Sequence, residues 1–170
     1  MSFTADTLLL FGATGDLARR MLLPSLCALD ADHLLPESLR IVGTARSAMS
    51  DAEYRNFARA ALEKFLPADR RGSMADFLNR LHYQPNDVTT AEGFDALAAQ
   101  VGDSKHRLAI FLSTAPSLFE VTIEGLRRAG LTGEGVRIGL EKPLGTDLAS
   151  SRELNDAVAG VANWPLPVVF

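Results

Sequence analysis

The stretch that organises this chain reads Leu8–Leu9–Leu10–Phe11–Gly12–Ala13–Thr14–Gly15–Asp16–Leu17–Ala18. Its uninterrupted apolar run predicts a short strand, about Thr7–Phe11, that is buried on both faces. Gly12 and Gly15 then permit a tight turn and a close backbone approach to a ligand. A helix that begins at Asp16 would direct unpaired N–H groups and a partial positive charge to the same point. This pattern predicts a dinucleotide pyrophosphate site, with a plain tight turn as the alternative.

Composition limits the function classes. The 170 residues, 47% of them apolar, suit one globular domain with its own core. The net charge of −4 argues against nucleic acid or an acidic membrane as a partner. Cys27, the one cysteine, cannot form an internal disulfide, so we expect a buried thiol and a cytoplasmic location. We expect no signal peptide and no membrane span, because neither pattern is present.

Predicted strands and helices alternate along the chain. The strands are Thr7–Phe11, Leu39–Gly43, His82–Gln84, Leu108–Leu112 and Val136–Leu140. The helices are Pro24–Asp32, Ala52–Phe65 after Ser50 or Asp51 as the cap, Met74–Leu81, a helix from Thr90 as the cap to Val101, Leu118–Ala129 and Asp147–Val161. This alternation predicts an α/β fold of the Rossmann type, with a doubly wound parallel sheet between two helical layers.

Pro24 lies well inside the first helical segment. An interior proline removes a hydrogen bond and its ring clashes with a preceding carbonyl. We therefore predict a short turn near Asp16–Arg19, a break between Arg20 and Leu23, and a new helix that starts at Pro24.

Arg46 and Ser47 follow the second predicted strand. An acidic residue at this position of an NAD-binding fold bonds the ribose 2′-hydroxyl, whereas an arginine suits a 2′-phosphate. The guanidinium can bind phosphate oxygens in a bidentate manner, and the serine hydroxyl can add a bond. The pair predicts NADP as the cofactor, and a solvated surface arginine is the alternative.

Two further loops follow predicted strands. Asp87 and Val88 come where the adenine of a dinucleotide would lie, although the aspartate could equally cap a helix or a turn. The small residues Thr114–Ala115–Pro116 follow the fourth strand, at an edge of the sheet where ligands bind, and leave room for the nicotinamide ribose.

Glu141–Lys142–Pro143 follows the fifth strand, where a lysine can anchor a phosphate or hydroxyl of a ligand; a surface lysine beside a turn proline is the alternative. We expect no metal site, because His33, His82 and His106 lie far apart without metal-ligand spacing. The turn lacks the Gly-Lys-Ser/Thr of a P-loop, and Tyr-x-x-x-Lys is absent, which argues against a short-chain dehydrogenase.

Four motifs together resemble the glucose-6-phosphate dehydrogenase family: Phe11–Ala18, Leu23–Pro24–Ser25–Leu26, Val42–Gly43–Thr44–Ala45–Arg46–Ser47 and Glu141–Ser151. The resemblance implies oxidation of glucose 6-phosphate to 6-phosphogluconolactone with NADP, in the pentose phosphate pathway. It implies NADP contacts from Gly12, Ala13, Thr14, Gly15, Asp16, Leu17, Arg46, Ser47 and Lys142. The loops described above add Asp87, Val88, Ala115, Pro116 and Glu141 to the predicted cofactor-binding residues. It also places Lys142 between the cofactor and the sugar phosphate, as the one catalytic residue in this chain.

The chain departs from the family pattern in two places. Met21 stands where the family usually has a lysine near the substrate phosphate, and the family's Asp-His-Tyr-Leu-Gly stretch is missing after Val161. We therefore expect residues 1–170 to be the NADP-binding domain alone, without the catalytic and dimerisation domain and without activity of its own. The alternatives are a Gfo/Idh/MocA-like sugar oxidoreductase domain, which normally carries Gly-x-Gly-x-x-Gly, and a non-catalytic NADP sensor.

Overall fold

The computed structural model describes residues 3–140, which form a five-stranded parallel sheet with helices on both faces. The strands are β1 (Thr7–Phe11), β2 (Arg40–Thr44), β3 (Leu81–Tyr83), β4 (Leu108–Leu112) and β5 (Val136–Leu140). Their order is β3-β2-β1-β4-β5, and every neighbouring pair is parallel. The strand order reverses between β1 and β4, which is where open α/β sheets bind ligands. The predicted fold class is confirmed.

The helices within the described part of the chain are α1 (Leu23–Ala31), α2 (Asp51–Phe65), α3 (Met74–Asn79), α4 (Ala91–Val101) and α5 (Phe119–Arg128). Ser50 caps α2 as predicted: its hydroxyl accepts from the Glu53 amide, and the Glu53 carboxylate accepts from the Ser50 amide. Thr90 is the N-cap residue of α4 as predicted, although its hydroxyl donates to the Asp87 carbonyl and makes no capping hydrogen bond. The helix predicted from Asp147 lies outside the described residues.

The sheet separates two hydrophobic cores. Side chains of β1 alternate between them, because successive residues of a strand point to opposite faces. Leu9 and Phe11 pack with α4 and α5, whereas Leu10 packs with α1, α2 and α3. Both faces of β1 are therefore covered, as its continuous apolar run predicted.

The predicted break between Arg20 and Leu23 is wrong. The chain stays helical from residue 16 to residue 31, and residues Ala18–Leu22 form a π-helical segment. The Leu23 amide donates to the Ala18 carbonyl, five residues back. Because Pro24 has no N–H and its ring excludes a carbonyl one turn earlier, the wider turn accommodates the proline at the start of α1. Pro24 thus does mark an irregular helix, but the helix widens into a π-helical bulge and does not break.

The described residues hold one cysteine and three histidines. Cys27 lies on α1 and is fully buried in the core, where burial, with the charge of Asp30, raises its pKa to about 11. His82 lies on β3 and bonds the Asp51 carboxylate at 3.0 Å. Between residues 3 and 140 we find no cluster of three potential metal ligands and no helix long and apolar enough for a bilayer.

Candidate functional site

The glycine turn after β1, residues 12–15, is fastened to β2 by backbone hydrogen bonds. The amides of Gly12 and Ala13 both donate to the Thr44 carbonyl, at 3.0 and 3.2 Å. The Gly15 amide closes the turn by donating to the Gly12 carbonyl at 3.0 Å. The N–H groups of these three residues thus all donate hydrogen bonds within the protein, and these bonds fix the shape of the turn.

Gly12 is required both by its conformation and by a close neighbour. Its φ is +73°, a region that L side chains rarely adopt. A Cβ at this position would lie 2.6 Å from the Ser113 carbonyl oxygen. Ser113 is held there because its amide and hydroxyl both donate to the Phe11 carbonyl, at 3.2 and 2.6 Å. The loop after β4 therefore packs against bare backbone at the turn.

The helix that follows the turn supplies free amides. Its first hydrogen bond runs from the Arg19 amide to the Gly15 carbonyl, 3.1 Å away. The amides of Asp16, Leu17 and Ala18 precede that bond and have no acceptor within the helix. They and the positive end of the helix dipole suit an anion at this edge of the sheet.

Asp16 places a negative charge at that same point, and two arginines compensate it. Its carboxylate accepts from Arg20 at 2.7 Å and from Arg19 at 3.3 Å. The Arg20 hydrogen bond is the main cause that lowers the pKa of Asp16. Both guanidinium groups also lie over the Phe65 ring, 5.8 and 5.6 Å from its centroid. The neighbouring Met21 side chain is 60% exposed.

The loop after β2, residues 45–47, exposes Arg46 and Ser47. Its backbone is held from the next strand, because the Tyr83 hydroxyl donates to the Ser47 carbonyl at 2.7 Å and lies 3.2 Å from the Ala45 carbonyl oxygen. The backbone amide of Asn86 also donates to the Ala45 carbonyl, at 2.9 Å. The side chains predicted to bind the phosphate, Arg46 and Ser47, are therefore exposed on an anchored backbone.

Asp87 forms a turn of its own, beside Arg46. Its carboxylate accepts from the Thr89 hydroxyl at 2.7 Å and from the Thr89 amide at 3.0 Å. These bonds lower the pKa of Asp87, and the positive charge of Arg46 adds to the effect. The turn alternative is thus observed, and contact of Asp87 and Val88 with an adenine stays a prediction. Val88 is half-buried against the core that contains α4 and α5.

The loop after β4 completes the group of predicted site residues within the described part. Ala115 and Pro116 are exposed, and Pro116 begins the short 3-10 turn that leads into α5. The turn after β1 and the loops after β2, β3 and β4 thus all open at the carboxyl edge of the sheet. Glu141 and Lys142 lie outside the described residues.

Sequence reasoning missed the residues that brace these loops. Tyr54, on α2, is fully buried, and its hydroxyl donates to the Ala13 carbonyl at 3.3 Å. Gly43 leaves space for it, since a Cβ there would lie 2.7 Å from the tyrosine ring. Asn86 is 4% exposed, and within residues 3–140 its side-chain amide has no hydrogen-bond partner. No local motif marks these positions, because their contacts join distant parts of the chain.

Comparison with known proteins gives one consistent family. Residues 9–163 match the family model described as glucose-6-phosphate dehydrogenase, NAD binding domain. Glucose-6-phosphate 1-dehydrogenase of Zymomonas mobilis is 52% identical over 163 residues, which are 95% of this chain and 34% of that protein. The enzyme of the same name from Mycolicibacterium smegmatis is 40% identical over 89% of this chain and 32% of its own length.

Solved structures agree with the sequence comparison. The crystal structure of glucose-6-phosphate 1-dehydrogenase from Mycobacterium avium superposes with a TM-score of 0.81 at 33% identity, over 93% of this chain and 34% of that one. A glucose-6-phosphate dehydrogenase in complex with its substrate glucose 6-phosphate gives a TM-score of 0.82 at 25% identity, over 95% of this chain and 35% of that one. The chain spans about a third of the length of the relatives it matches.

Proposed function

Since the chain belongs to the family of NAD-binding domains of glucose-6-phosphate dehydrogenases, we propose that it is a coenzyme domain that prefers NADP(H) to NAD(H). One observation carries the preference: Arg46 and Ser47 are exposed directly after β2, beside the glycine turn, where an acidic residue would select NAD. A 2′-phosphate there would receive charge-assisted hydrogen bonds from the guanidinium.

The residues present suit the cofactor. Gly12 permits the tight turn, the amides of Asp16 and Leu17 have no acceptor within the helix and face the pyrophosphate position, and Arg19 and Arg20 offset the Asp16 carboxylate. The bound cofactor would supply hydride transfer at its nicotinamide. We assign the binding surface to Gly12, Ala13, Thr14, Gly15, Asp16, Leu17, Arg46, Ser47, Asp87, Val88, Ala115, Pro116, Glu141 and Lys142.

For the whole enzyme we propose oxidation of glucose 6-phosphate at C1, in cytoplasmic glucose metabolism through the pentose phosphate pathway. Lys142 would lie between the cofactor and the sugar phosphate, and would hold and orient the sugar phosphate there. Since the chain spans about a third of its relatives, we propose that residues 1–170 are the coenzyme domain and that a further domain supplies the general base and the dimer interface.

Calorimetric titration of the chain with NADP⁺ and with NAD⁺ tests the preference. We expect tighter binding of NADP⁺. Adenosine 2′,5′-bisphosphate should compete with NADP⁺, whereas adenosine 5′-monophosphate should compete much less, because only the former carries the 2′-phosphate. Equal affinities for the two dinucleotides would contradict the proposal.

A further inference from the structure

Two tyrosines connect the glycine turn to the loop after β2. The Tyr54 hydroxyl, which extends from α2, donates to the Ala13 carbonyl at 3.3 Å. The hydroxyl of Tyr83, the last residue of β3, donates to the Ser47 carbonyl at 2.7 Å and also lies near the Ala45 carbonyl. The two ring centroids are 5.0 Å apart, so the contact is continuous from one loop to the other.

We propose that Tyr54 and Tyr83, here called the tyrosine pair, are positioning residues that set the spacing of the two loops for the cofactor. This inference rests on the proposed function, because NADP(H) must contact both loops at once. Loops held in place before binding lose less conformational freedom when the ligand arrives, which strengthens binding. The tyrosine pair therefore acts through the backbone and not by touching the cofactor.

The two members act on different parts of the cofactor. Tyr54 holds the turn that faces the pyrophosphate, which NADP(H) and NAD(H) share. Tyr83 holds the carbonyl groups on either side of Arg46, which reads the 2′-phosphate. Tyr54 therefore supports the affinity for both dinucleotides, whereas Tyr83 supports the preference between them.

The local packing supports a specific role for the Tyr54 hydroxyl. The ring lies against Gly43, where a Cβ would approach it to 2.7 Å, and it stacks on Phe57 with centroids 6.0 Å apart. The side chain is thereby confined to one position, with its hydroxyl at Ala13. Burial raises the pKa of Tyr54, so the hydroxyl remains a donor throughout the neutral range.

The variants Tyr83→Phe and Tyr54→Phe keep the rings and remove one hydroxyl each. We expect Tyr83→Phe to weaken NADP⁺ binding by about two- to tenfold, the equivalent of one hydrogen bond, with NAD⁺ binding unchanged. We expect Tyr54→Phe to weaken both by one common factor. Ile123→Val, in the core on the other face of the sheet, controls for loss of stability and should leave the ratio of the two affinities as it is.

Hydrogen exchange without cofactor separates this inference from the proposed function. We expect faster exchange of the Asn86 backbone amide, which donates to the Ala45 carbonyl, in Tyr83→Phe, and of the Ala13 and Gly15 amides in Tyr54→Phe, each measured against the same amide in Ile123→Val. A chain that binds neither dinucleotide would contradict the proposed function, while the exchange rates would still test the positioning. Unchanged exchange in Tyr83→Phe, or an unchanged ratio of affinities, would overturn the role of Tyr83. A changed ratio in Tyr54→Phe would overturn the division between the two.

Discussion

The glycine turn after β1 and the loop after β2 lie side by side, yet they are built in opposite ways. In the turn, the backbone itself makes the contacts: the Gly12 amide donates to the Thr44 carbonyl, and Gly12, which has no side chain, packs against Ser113. The loop anchors its carbonyls on Tyr83 and leaves the side chains of Arg46 and Ser47 in solvent.

This difference separates two tasks of the proposed site. A pyrophosphate is common to both dinucleotides, so the part that faces it can be rigid and invariable in shape. A 2′-phosphate distinguishes NADP from NAD, and exposed side chains can read it at little cost to the fold. Substitutions in the turn should therefore affect stability and all cofactor binding, whereas substitutions in the loop should affect only the preference.

Gly12→Ala should have the largest effect. The residue would be strained at φ +73° and its Cβ would meet the Ser113 carbonyl at 2.6 Å, so the turn must move. We expect the free energy of unfolding to fall by about 2–4 kcal/mol and both dinucleotides to lose affinity. Urea denaturation and calorimetry measure the two effects.

Gly130→Ala is the matched control for Gly12→Ala. Gly130 has φ +72°, but nothing lies within 4 Å of the position that a Cβ would take. This variant should show the strain alone, about 1–2 kcal/mol, with cofactor binding intact. If the two variants are equally stable, the contact with Ser113 does not constrain the turn.

Gly43→Ala should have the next largest effect, because it would press on Tyr54. The added Cβ would lie 2.7 Å from that ring, and such overpacking lowers the free energy of unfolding by about 1–3 kcal/mol. Gly139→Ala, on β5, would approach the Phe111 ring only to 3.2 Å and serves as the control. Thermal unfolding that ranks the two variants in the reverse order would contradict this account.

Arg46→Ala should change binding without changing stability. Hydrogen bonds to a charged group contribute about 1.5–3 kcal/mol, so NADP⁺ affinity should fall about 10- to 100-fold while NAD⁺ affinity stays the same. Arg59→Ala removes another exposed arginine, from α2, and should leave both affinities unchanged. An equal loss for NAD⁺ in Arg46→Ala would show that the loop and the turn do not divide their tasks.

Lowering the pH should have the smallest effect on stability, and this effect should come from groups at the glycine turn and beside the loop after β2. Asp16 at the turn and Asp87 beside the loop have pKa values below the ordinary 3.8, owing mainly to Arg20 and to Thr89 respectively. A folded pKa below the unfolded one stabilises the protein above the unfolded value, and this contribution is lost as the pH falls through the folded pKa. The melting temperature should therefore decline slightly from about pH 5 to pH 3. In Asp16→Asn and Asp87→Asn this decline should be shallower; an unaltered slope would contradict the assignment.

The predictable part of the molecule is the part with local patterns. The apolar runs predicted the strand bounds of β1, β4 and β5, and the glycines placed the turn where the structure has it. The four motifs also predicted the family that the comparisons then identified. Each of these signals lies within a few consecutive residues.

The remaining features depend on contacts that no short window contains. Tyr54 and Ala13 are 41 residues apart in the chain, and Tyr83 and Ser47 are 36 apart, so nothing local indicates their hydrogen bonds. Pro24 did indicate an irregular helix. However, either a break or a π-helical segment can accommodate the missing N–H and the ring of the proline, so the sequence alone does not choose between them. The choice between them depends on how the helix packs against α2 and the sheet.

The central position of β1 has a consequence for synthesis of the chain. One edge of β1 pairs with β2, which follows soon after, but the other pairs with β4, and Ser113 is 102 residues from the Phe11 carbonyl that it binds. At a translation rate of about 5–20 residues per second, that edge waits about 5–20 s for its partner. An apolar strand with an open edge can pair with another nascent chain. The strand that organises the native fold thus has one edge without its native partner during much of synthesis, and a chaperone that covers this edge until β4 emerges would protect folding.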